Sequence, residues 1–360
     1  MMKKIVIVNP FGIGDFIFST PLIEILKKSF PDLFLGYVCN RRVSELIATN
    51  PHLDKIFIYE KDEYRNAWRR SKTEWLRKIS ALLGSIRKER FDIAMDLSLN
   101  YQNSMLLKLL GVRRRIGLNY RNRNKFLTDR IDIEGFSDKH VIDYYLDVLK
   151  PLNIDVKRYE IIPRVYAADS DLEFADRLLS ERGLVGGDIV IGMVPGCGES
   201  WGADAKYRRW DSENFARLAD MLIEKYDAKI ILLGNAHERD ICSSIEKVMK
   251  NSVINYCGET SLGQFLGILK MCQLVITNDG GPLHMAIGLG VKTVSVFGPV
   301  DETVYGPYND VSDHAVLSRK DLSCRPCYRK FKYKKCENRI CLDSITVEEA
   351  LTASEQMICR

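Results

Sequence analysis

The residues best suited to bind an anion lie in a turn near the end of the chain. An apolar run, Leu274–Thr277, stops at Asp279, Gly280 and Gly281, and His284 follows. This pattern predicts a buried strand, a turn and the start of a helix. Bare glycine amides at a helix start favour an anion, because their N–H groups and the helix dipole both face it. The structural alternative is a tight turn in which Asp279 caps the helix and glycine supplies a positive φ.

A second glycine loop follows the first apolar run of the chain. Ile5–Val8 is followed by Gly12, Gly14 and Asp15. The two glycines begin like a dinucleotide-binding fingerprint, but Ile17 occupies the third glycine position, which weakens an NAD-binding interpretation. The loop predicts a carboxylate at a helix N-terminus. That carboxylate could serve as a base or could simply cap the helix.

Two more loops follow apolar runs in the second half of the chain. The loop after Ile189–Val194 leads to Lys206 and Arg208, and arginine can hold phosphate oxygens in bidentate fashion. The alternative is a solvated surface loop. The loop after Lys229–Leu233 leads to Glu238, which by itself suits any helix N-terminus.

Four of the ten cysteines form a compact group, Cys324, Cys327, Cys336 and Cys341. Tetrathiolate spacing of this kind predicts a metal site in a reducing compartment, with zinc as the general expectation. Disulfides or free thiols remain the alternative. We call residues 324–341 the Cys-rich segment.

Apolar runs alternate with amphipathic segments along the whole chain, which predicts parallel sheets covered by helices. The alternation occurs twice, so we predict an N-terminal domain over residues 1–170 and a C-terminal domain over 185–360 that includes the Cys-rich segment. Strands are predicted at 3–10, 33–40, 55–60, 91–98 and 113–118, and again at 188–196, 229–235, 252–258, 273–279 and 293–299. A helix is predicted over 63–89. Another is predicted after Thr346, with Glu349 completing a capping box.

Length and composition agree with two globular domains. The 360 residues are 46% hydrophobic and 28% charged, and no apolar run approaches the ~18 residues that span a bilayer. The N-terminus does not read as a signal peptide, which predicts a cytoplasmic protein with reduced cysteines. A net charge of +5 is too mild to indicate a nucleic-acid binder. Basic clusters at 113–115 and 319–339 should attract anionic partners.

The order of Asp279, two glycines, Pro282 and His284, followed by Phe-Gly-Pro at 297–299, is similar to the donor site of glycosyltransferase family 9, the ADP-heptose heptosyltransferases. The loop ending in Asp15, an Arg-rich strand, the Arg208–Trp210 stretch and the Gly-Asn-x-x-Glu motif at 234–238 extend the resemblance over nearly the whole chain. It implies the α/β GT-B fold, in which two Rossmann-like, doubly wound domains face each other across a cleft. It also implies inverting transfer of heptose from ADP-heptose to an acceptor, for which the lipopolysaccharide inner core is expected.

The resemblance further implies roles for single residues. Asp15 would be the general base, Glu238 would contact the ribose, and Arg208 would replace the family's diphosphate-binding lysine, with Lys206 and Arg209 as further candidates. The remaining donor-binding residues would be Asp279, Gly280, Gly281 and His284. Two departures are clear, since Asp211 replaces the family's proline and Gly280 its usual threonine.

The expected partners follow from these roles. They are the nucleotide-sugar donor and an anionic glycolipid or protein acceptor, with peripheral contact to the inner membrane and without nucleic acid. No catalytic metal is expected if cations and helix N-termini carry the leaving diphosphate. The autotransporter heptosyltransferases, a branch of the broad family, have a four-cysteine iron finger near the C-terminus. Structural zinc or iron is therefore expected here.

Three other functions remain open at this stage. A protein O-heptosyltransferase of the autotransporter type would use the same donor and a protein acceptor. A nucleotide-binding oxidoreductase would respond to NAD(P)H. A metal-stabilised nucleic-acid-binding protein would use the basic residues of the Cys-rich segment in salt-sensitive binding.

Overall fold

The computed structural model describes residues 3–184, 186–198, 202–308, 312–334, 336 and 338–359. Contacts divide the chain into two compact units, Met1–Pro163 and Arg164–Arg360. Each unit contains one six-stranded parallel sheet with helices in its connections.

The first unit alternates strands and helices from its first strand onward. Its elements are β1 (Lys4–Val8), α1 (Ile13–Ser29), β2 (Phe34–Cys39), α2 (Ser44–Ala48), β3 (Lys55–Ile58), α3 (Lys61–Arg70), α4 (Lys72–Glu89), β4 (Ile93–Asp96), α5 (Tyr101–Leu109), β5 (Arg114–Tyr120), β6 (Asp129–Ile133) and α6 (Val141–Leu146). The sheet order is β3-β2-β1-β4-β5-β6.

The second unit repeats this plan and adds a hairpin and two helices at its end. Its elements are α7 (Asp169–Glu181), β7 (Val190–Val194), α8 (Ser212–Tyr226), β8 (Lys229–Leu232), α9 (Arg239–Val248), β9 (Ile254–Asn255), α10 (Leu262–Met271), β10 (Leu274–Asn278), α11 (Gly281–Gly288), β11 (Lys292–Val296), α12 (Glu302–Tyr305), β12 (His314–Leu317), β13 (Tyr328–Arg329), β14 (Lys332–Tyr333), α13 (Ile340–Asp343) and α14 (Val347–Ile358). The sheet order is β12-β11-β10-β7-β8-β9.

Both sheets therefore have the doubly wound order in which the chain reverses direction across the sheet beside its first strand. The switch points lie between β1 and β4 and between β7 and β10. In open α/β sheets, ligands bind at the carboxyl ends of the strands beside such a point. The predicted α/β class with two Rossmann-like domains is confirmed.

A few elements differ from the sequence-based expectations. The single helix expected over 63–89 is divided, because Ser71 is extended and its hydroxyl caps α4 through the Glu74 N–H at 3.4 Å. The edge strands β6 and β12 were not predicted, since neither carries a long apolar run. The capping box of Thr346 and Glu349 is present at the start of α14.

The core of the second unit anchors the strands that carry the candidate site. Phe215, Leu218 and Leu222 are fully buried and lie on one face of α8, at spacings of three and four residues that place side chains on the same side of a helix. They belong to one apolar cluster with residues of β7, β8, β10 and α14. Burying each such side chain contributes about 1.5–3 kcal/mol, so the strand ends beside the site are firmly held.

Candidate active site

Asp15 lies in the first turn of α1, directly beyond the end of β1. One carboxylate oxygen accepts from the Gly12 N–H at 3.3 Å, and the other accepts from the Tyr145 hydroxyl at 3.1 Å. The residue keeps some solvent-accessible surface although its carboxyl group is surrounded by protein. Burial raises the pKa of Asp15, while the bonds from Tyr145 and Gly12 oppose this shift. The result is a fixed carboxylate that is more basic than an ordinary aspartate.

Tyr145 was not identified from the sequence. It is fully buried on α6, 130 residues from Asp15 in the sequence. Only folding brings its hydroxyl next to the Asp15 carboxylate. The sequence offers no signal for this pairing beyond the apolar pattern of α6.

Arg208 and Asp279, both predicted site residues, form a buried ion pair in the second unit. The guanidinium nitrogens of Arg208 lie 3.1 and 2.6 Å from Asp279 Oδ2, and Nη2 also donates to the Asp279 carbonyl at 2.9 Å. The two side chains are only 8% and 4% exposed. The Asp279 carboxylate therefore binds Arg208 and does not cap α11. The N-cap residue of α11 is Gly280, which makes no side-chain hydrogen bond.

Position 280 requires glycine because the backbone of Cys197 lies close to it. The Gly280 φ of 162° is extended, so the positive φ offered as a structural alternative is not the reason. A Cβ atom at this position would lie 2.7 Å from the Cys197 carbonyl oxygen. Threonine, the family's usual residue, would not fit unless the Cys197 loop moved.

Glu238 ties the loop after β8 to the loop after β7. Its Oε1 accepts from the N–H groups of Cys197 and Gly198, each at 3.0 Å, and Oε2 accepts from the Asn235 N–H at 3.0 Å. The residue is 3% exposed. Its carboxylate therefore shapes these loops, a task that the sequence did not indicate, and the ribose contact stays a prediction.

Asn278 is a further residue that sequence reasoning missed. It is fully buried, accepts from the Trp210 N–H at 2.9 Å and donates to the Pro195 carbonyl at 2.7 Å. Trp210 in turn donates from its indole nitrogen to the Ile345 carbonyl at 3.0 Å. The signal in the sequence that could have identified Asn278 is a polar residue at the end of an apolar strand. Asn278 fixes the backbone next to the arginines.

The three candidate cations have different surroundings. Arg208 is held by Asp279, and Lys206 is exposed with its ammonium 5.2 Å from the Tyr207 ring. Arg209 has a side chain that is 26% exposed and lies 3.9 Å from Glu238 Oε1. Its Nε is buried and has no hydrogen-bond partner in the part of the chain that the structure describes. Arg209 therefore keeps buried bonding capacity beside the loops.

Gly281 and His284 complete the predicted group. Gly281 is the first residue of α11, and the His284 side chain is buried in its first turn, with the residue 5% exposed. The second unit thus brings its predicted site residues to the carboxyl ends of β7, β8 and β10, whereas Asp15 belongs to the first unit.

The four thiols of the Cys-rich segment range from exposed Cys324 to buried Cys341. Burial raises the pKa of Cys341 to about 11; Arg325 lowers it, and the charges of the other three cysteines add to the rise. Within the described residues, no three metal-ligating side chains are gathered at coordinating distance. All ten cysteines are free thiols. The metal site stays a prediction.

None of the helices in the described part of the chain combines the length and the apolar character needed to cross a lipid bilayer.

Comparison with known proteins identifies the family. The family model described as glycosyltransferase family 9 (heptosyltransferase) matches residues 79–337. Lipooligosaccharide heptosyltransferase 2 of Campylobacter jejuni is 26% identical over 343 residues, which cover 92% of this chain and 93% of that protein.

Solved structures show the same fold. The glycosyltransferase family 9 protein of Veillonella parvula has a TM-score of 0.81 and 25% identity, covering 99% of this chain and 97% of that one. The E. coli ADP-heptose LPS heptosyltransferase II has a TM-score of 0.75 and 20% identity, covering 99% of both chains. The predicted GT-B fold class and the resemblance to family 9 are confirmed.

Proposed function

The chain belongs to glycosyltransferase family 9 and is a glycosyltransferase, and on that premise we propose that it transfers heptose from ADP-heptose to the lipopolysaccharide inner core with inversion. One observation carries the donor assignment. At the switch point of the second sheet, three loops are tied into one surface by Glu238, Asn278 and the Arg208–Asp279 pair.

In this proposal the donor diphosphate meets Arg209 and the N-terminal turn of α11. The buried Nε of Arg209 lacks a partner among the described residues, and a charged donor left without one in a protein interior is costly. A phosphate oxygen would satisfy it. The backbone N–H groups that begin α11 would favour the same anion. Arg208 would act through Asp279, by holding the turn that presents these groups.

The proposed reaction is a direct displacement. The Asp15 carboxylate takes the proton of the acceptor hydroxyl as its oxygen attacks the anomeric carbon, and the bond from that carbon to the diphosphate oxygen breaks. ADP leaves with the electron pair. Attack opposite the leaving group inverts the anomeric centre. The raised pKa of Asp15 suits this role, because a stronger base accepts the hydroxyl proton more readily.

Nucleotide-sugar binding tests the proposed function most directly. ADP-heptose or ADP should raise the melting temperature, since a ligand at 100 times its dissociation constant adds about 2.7 kcal/mol to the free energy of unfolding. The matched control is Arg209→Ala, which should respond less to ADP. Stabilisation by NAD(P)H together with silence toward ADP-sugars would favour an oxidoreductase instead.

An amphiphilic, anionic acceptor would also bring the protein to a membrane surface, and the α3–α4 hairpin suits such a contact. Residues 61–90 carry ten Lys or Arg and four Asp or Glu. Trp68 and Leu76 are 50% and 55% exposed among them. Exposed aromatic and basic side chains together favour anionic lipid headgroups. The protein should therefore sediment with anionic vesicles, and high salt should weaken this binding. A protein that does not sediment with the vesicles, or whose binding is unaffected by salt, would contradict the contact.

We further propose that the four thiols of the Cys-rich segment hold one structural zinc or iron ion. Their chemistry fits a soft metal, because thiolate sulfur is a preferred ligand of zinc and iron. The ion would cross-link a segment that has few large apolar residues of its own.

Elemental analysis of protein purified without a metal-binding tag should therefore find about one metal ion per chain. Chelation should lower the melting temperature and expose the four thiols to titration. Negligible metal together with four titratable thiols in the folded protein would contradict the site. Alanine at Cys359, an exposed cysteine outside the segment, is the matched control and should leave the metal content unchanged.

A further inference from the structure

The two ends of the Cys-rich segment contact two loops at the carboxyl ends of strands in the second sheet, the loop after β7 that carries the arginines and the turn after β11. Near its end, Arg339 Nη1 donates to the carbonyls of Lys206 and Arg209, both at 3.1 Å. These carbonyls bracket the backbone that carries Arg208. Arg339 is itself oriented by Asp343, whose carboxylate lies 2.9 Å from Nη2.

At the start of the segment, Arg325 holds the turn after β11. It is 9% exposed and donates to the carbonyls of Gly298 at 2.5 Å and Val300 at 2.8 Å. The backbone of the segment adds two bonds, since the N–H groups of residues 327 and 328 donate to the Pro299 carbonyl at 2.9 and 3.1 Å.

The loop bracketed by Arg339 has limited support on this side. A cavity of about 560 Å³ lies beside it, lined by Lys206, Tyr207, Asn338, Arg339, Ile340 and Asp343. The Tyr207 ring does contact the ring of Tyr333 from the Cys-rich segment, at 5.8 Å between centroids. Hydrogen bonds from a charged donor are stronger than neutral ones. The two bonds from Arg339 therefore restrain the backbone of residues 206–209 on this side, in addition to the bonds that Asp279 and Asn278 make to Arg208 and Trp210.

We propose that the Cys-rich segment is a clamp on the donor loops and that Arg339 is a positioning residue for donor binding. The clamp rests on the proposed donor site, because its consequence is the placement of Arg209 toward a nucleoside diphosphate. Arg339 itself need not touch the donor. It acts through the backbone of residues 206–209.

The experiment compares Arg339→Ala with Arg319→Ala. Arg319 is the matched control because it also bonds a carbonyl and a carboxylate of this region, those of Ser344 and Glu349, and makes no hydrogen bond to a donor loop among the described residues. Arg339→Ala should speed amide hydrogen exchange in residues 205–210. It should also weaken ADP binding by up to roughly tenfold, because the ligand would then have to order a loop that the Arg339 bonds no longer hold. Arg319→Ala should do neither.

Two further variants guard against a simple folding defect. Arg339→Lys keeps the positive charge and one donor nitrogen, and it should restore part of the ADP affinity, which a general loss of stability would not predict. Asp343→Asn should fold, since its side chain is 53% exposed, and should shift both readouts in the same direction by less.

Hydrogen exchange needs no nucleotide, so it separates the clamp from the donor assignment. If the wild-type protein does not bind ADP, the proposed donor is wrong, and faster exchange in Arg339→Ala would still support the clamp. If ADP binds the wild type and Arg339→Ala equally and loop exchange is unchanged, the clamp is wrong while the donor proposal stands.

Discussion

Asp15→Asn is expected to lower turnover by roughly 10²–10⁴-fold, the usual contribution of a general base, and to leave ADP binding nearly unchanged. Asparagine keeps the size of the side chain but cannot take the proton of the acceptor hydroxyl. Initial rates of heptosyl transfer and calorimetric ADP titration measure the two effects. Near-normal turnover in a correctly folded variant would exclude Asp15 as the base.

Stability provides the internal control for this variant. The folded-state pKa of Asp15 is raised, so ionising it costs stability at pH values above its unfolded pKa. Removing the charge should therefore leave the melting temperature at neutral pH equal to that of the wild type or higher. A lower rate together with a lower melting temperature would point to misfolding.

The rate of heptosyl transfer should depend on pH in a direction that the raised pKa of Asp15 determines. A base works when deprotonated, so the rate should fall as pH drops through the raised pKa of Asp15, at higher pH than for an ordinary aspartate. Tyr145→Phe removes a donor that favours the carboxylate. It should move this acidic limb to still higher pH while much of the plateau rate remains. A limb that does not move would separate Tyr145 from the titrating group.

Asp279→Ala is expected to destabilise the protein by about 3–5 kcal/mol, the cost of leaving one member of a buried ion pair without its partner. Arg208 would remain almost inaccessible to water, at 8% side-chain exposure, with its charge uncompensated. Urea denaturation followed by circular dichroism gives the change in the free energy of unfolding. A decrease in the free energy of unfolding below about 1 kcal/mol would contradict this prediction, because such a value is typical of solvent-exposed ion pairs.

A double-mutant cycle isolates the pair. Arg208→Ala with Asp279→Ala should be less destabilised than the sum of the single variants, because no buried charge is left alone. Arg209→Ala is the matched control. Its side chain is 26% exposed, so its loss should weigh mainly on ADP affinity and little on adenosine affinity. If Arg208→Ala instead showed that ADP-specific effect at normal stability, the roles of the two arginines would be reversed.

Local patterns in the sequence were sufficient to predict the architecture. Apolar runs such as Ile5–Val8 and Leu274–Thr277 end in polar or glycine-containing turns, and both runs form strands at the centre of a sheet. Each signal lies within a few residues, so it can be recognised without knowledge of the rest of the chain. The motifs around Asp15 and Asp279 were also sufficient to predict the family.

Only the tertiary structure decided which side chains meet. Arg208 and Asp279 are 71 residues apart, and Glu238 lies 41 residues from the Cys197 N–H that it accepts. Crossover connections bring loops together at one sheet edge, and local periodicity says nothing of which loops those will be. The sequence therefore identified Arg208, Glu238 and Asp279 as chemically capable. The packing of the loops determined that Arg208 binds Asp279, that Glu238 binds backbone N–H groups of its neighbouring loops, and that Arg209 keeps bonding capacity.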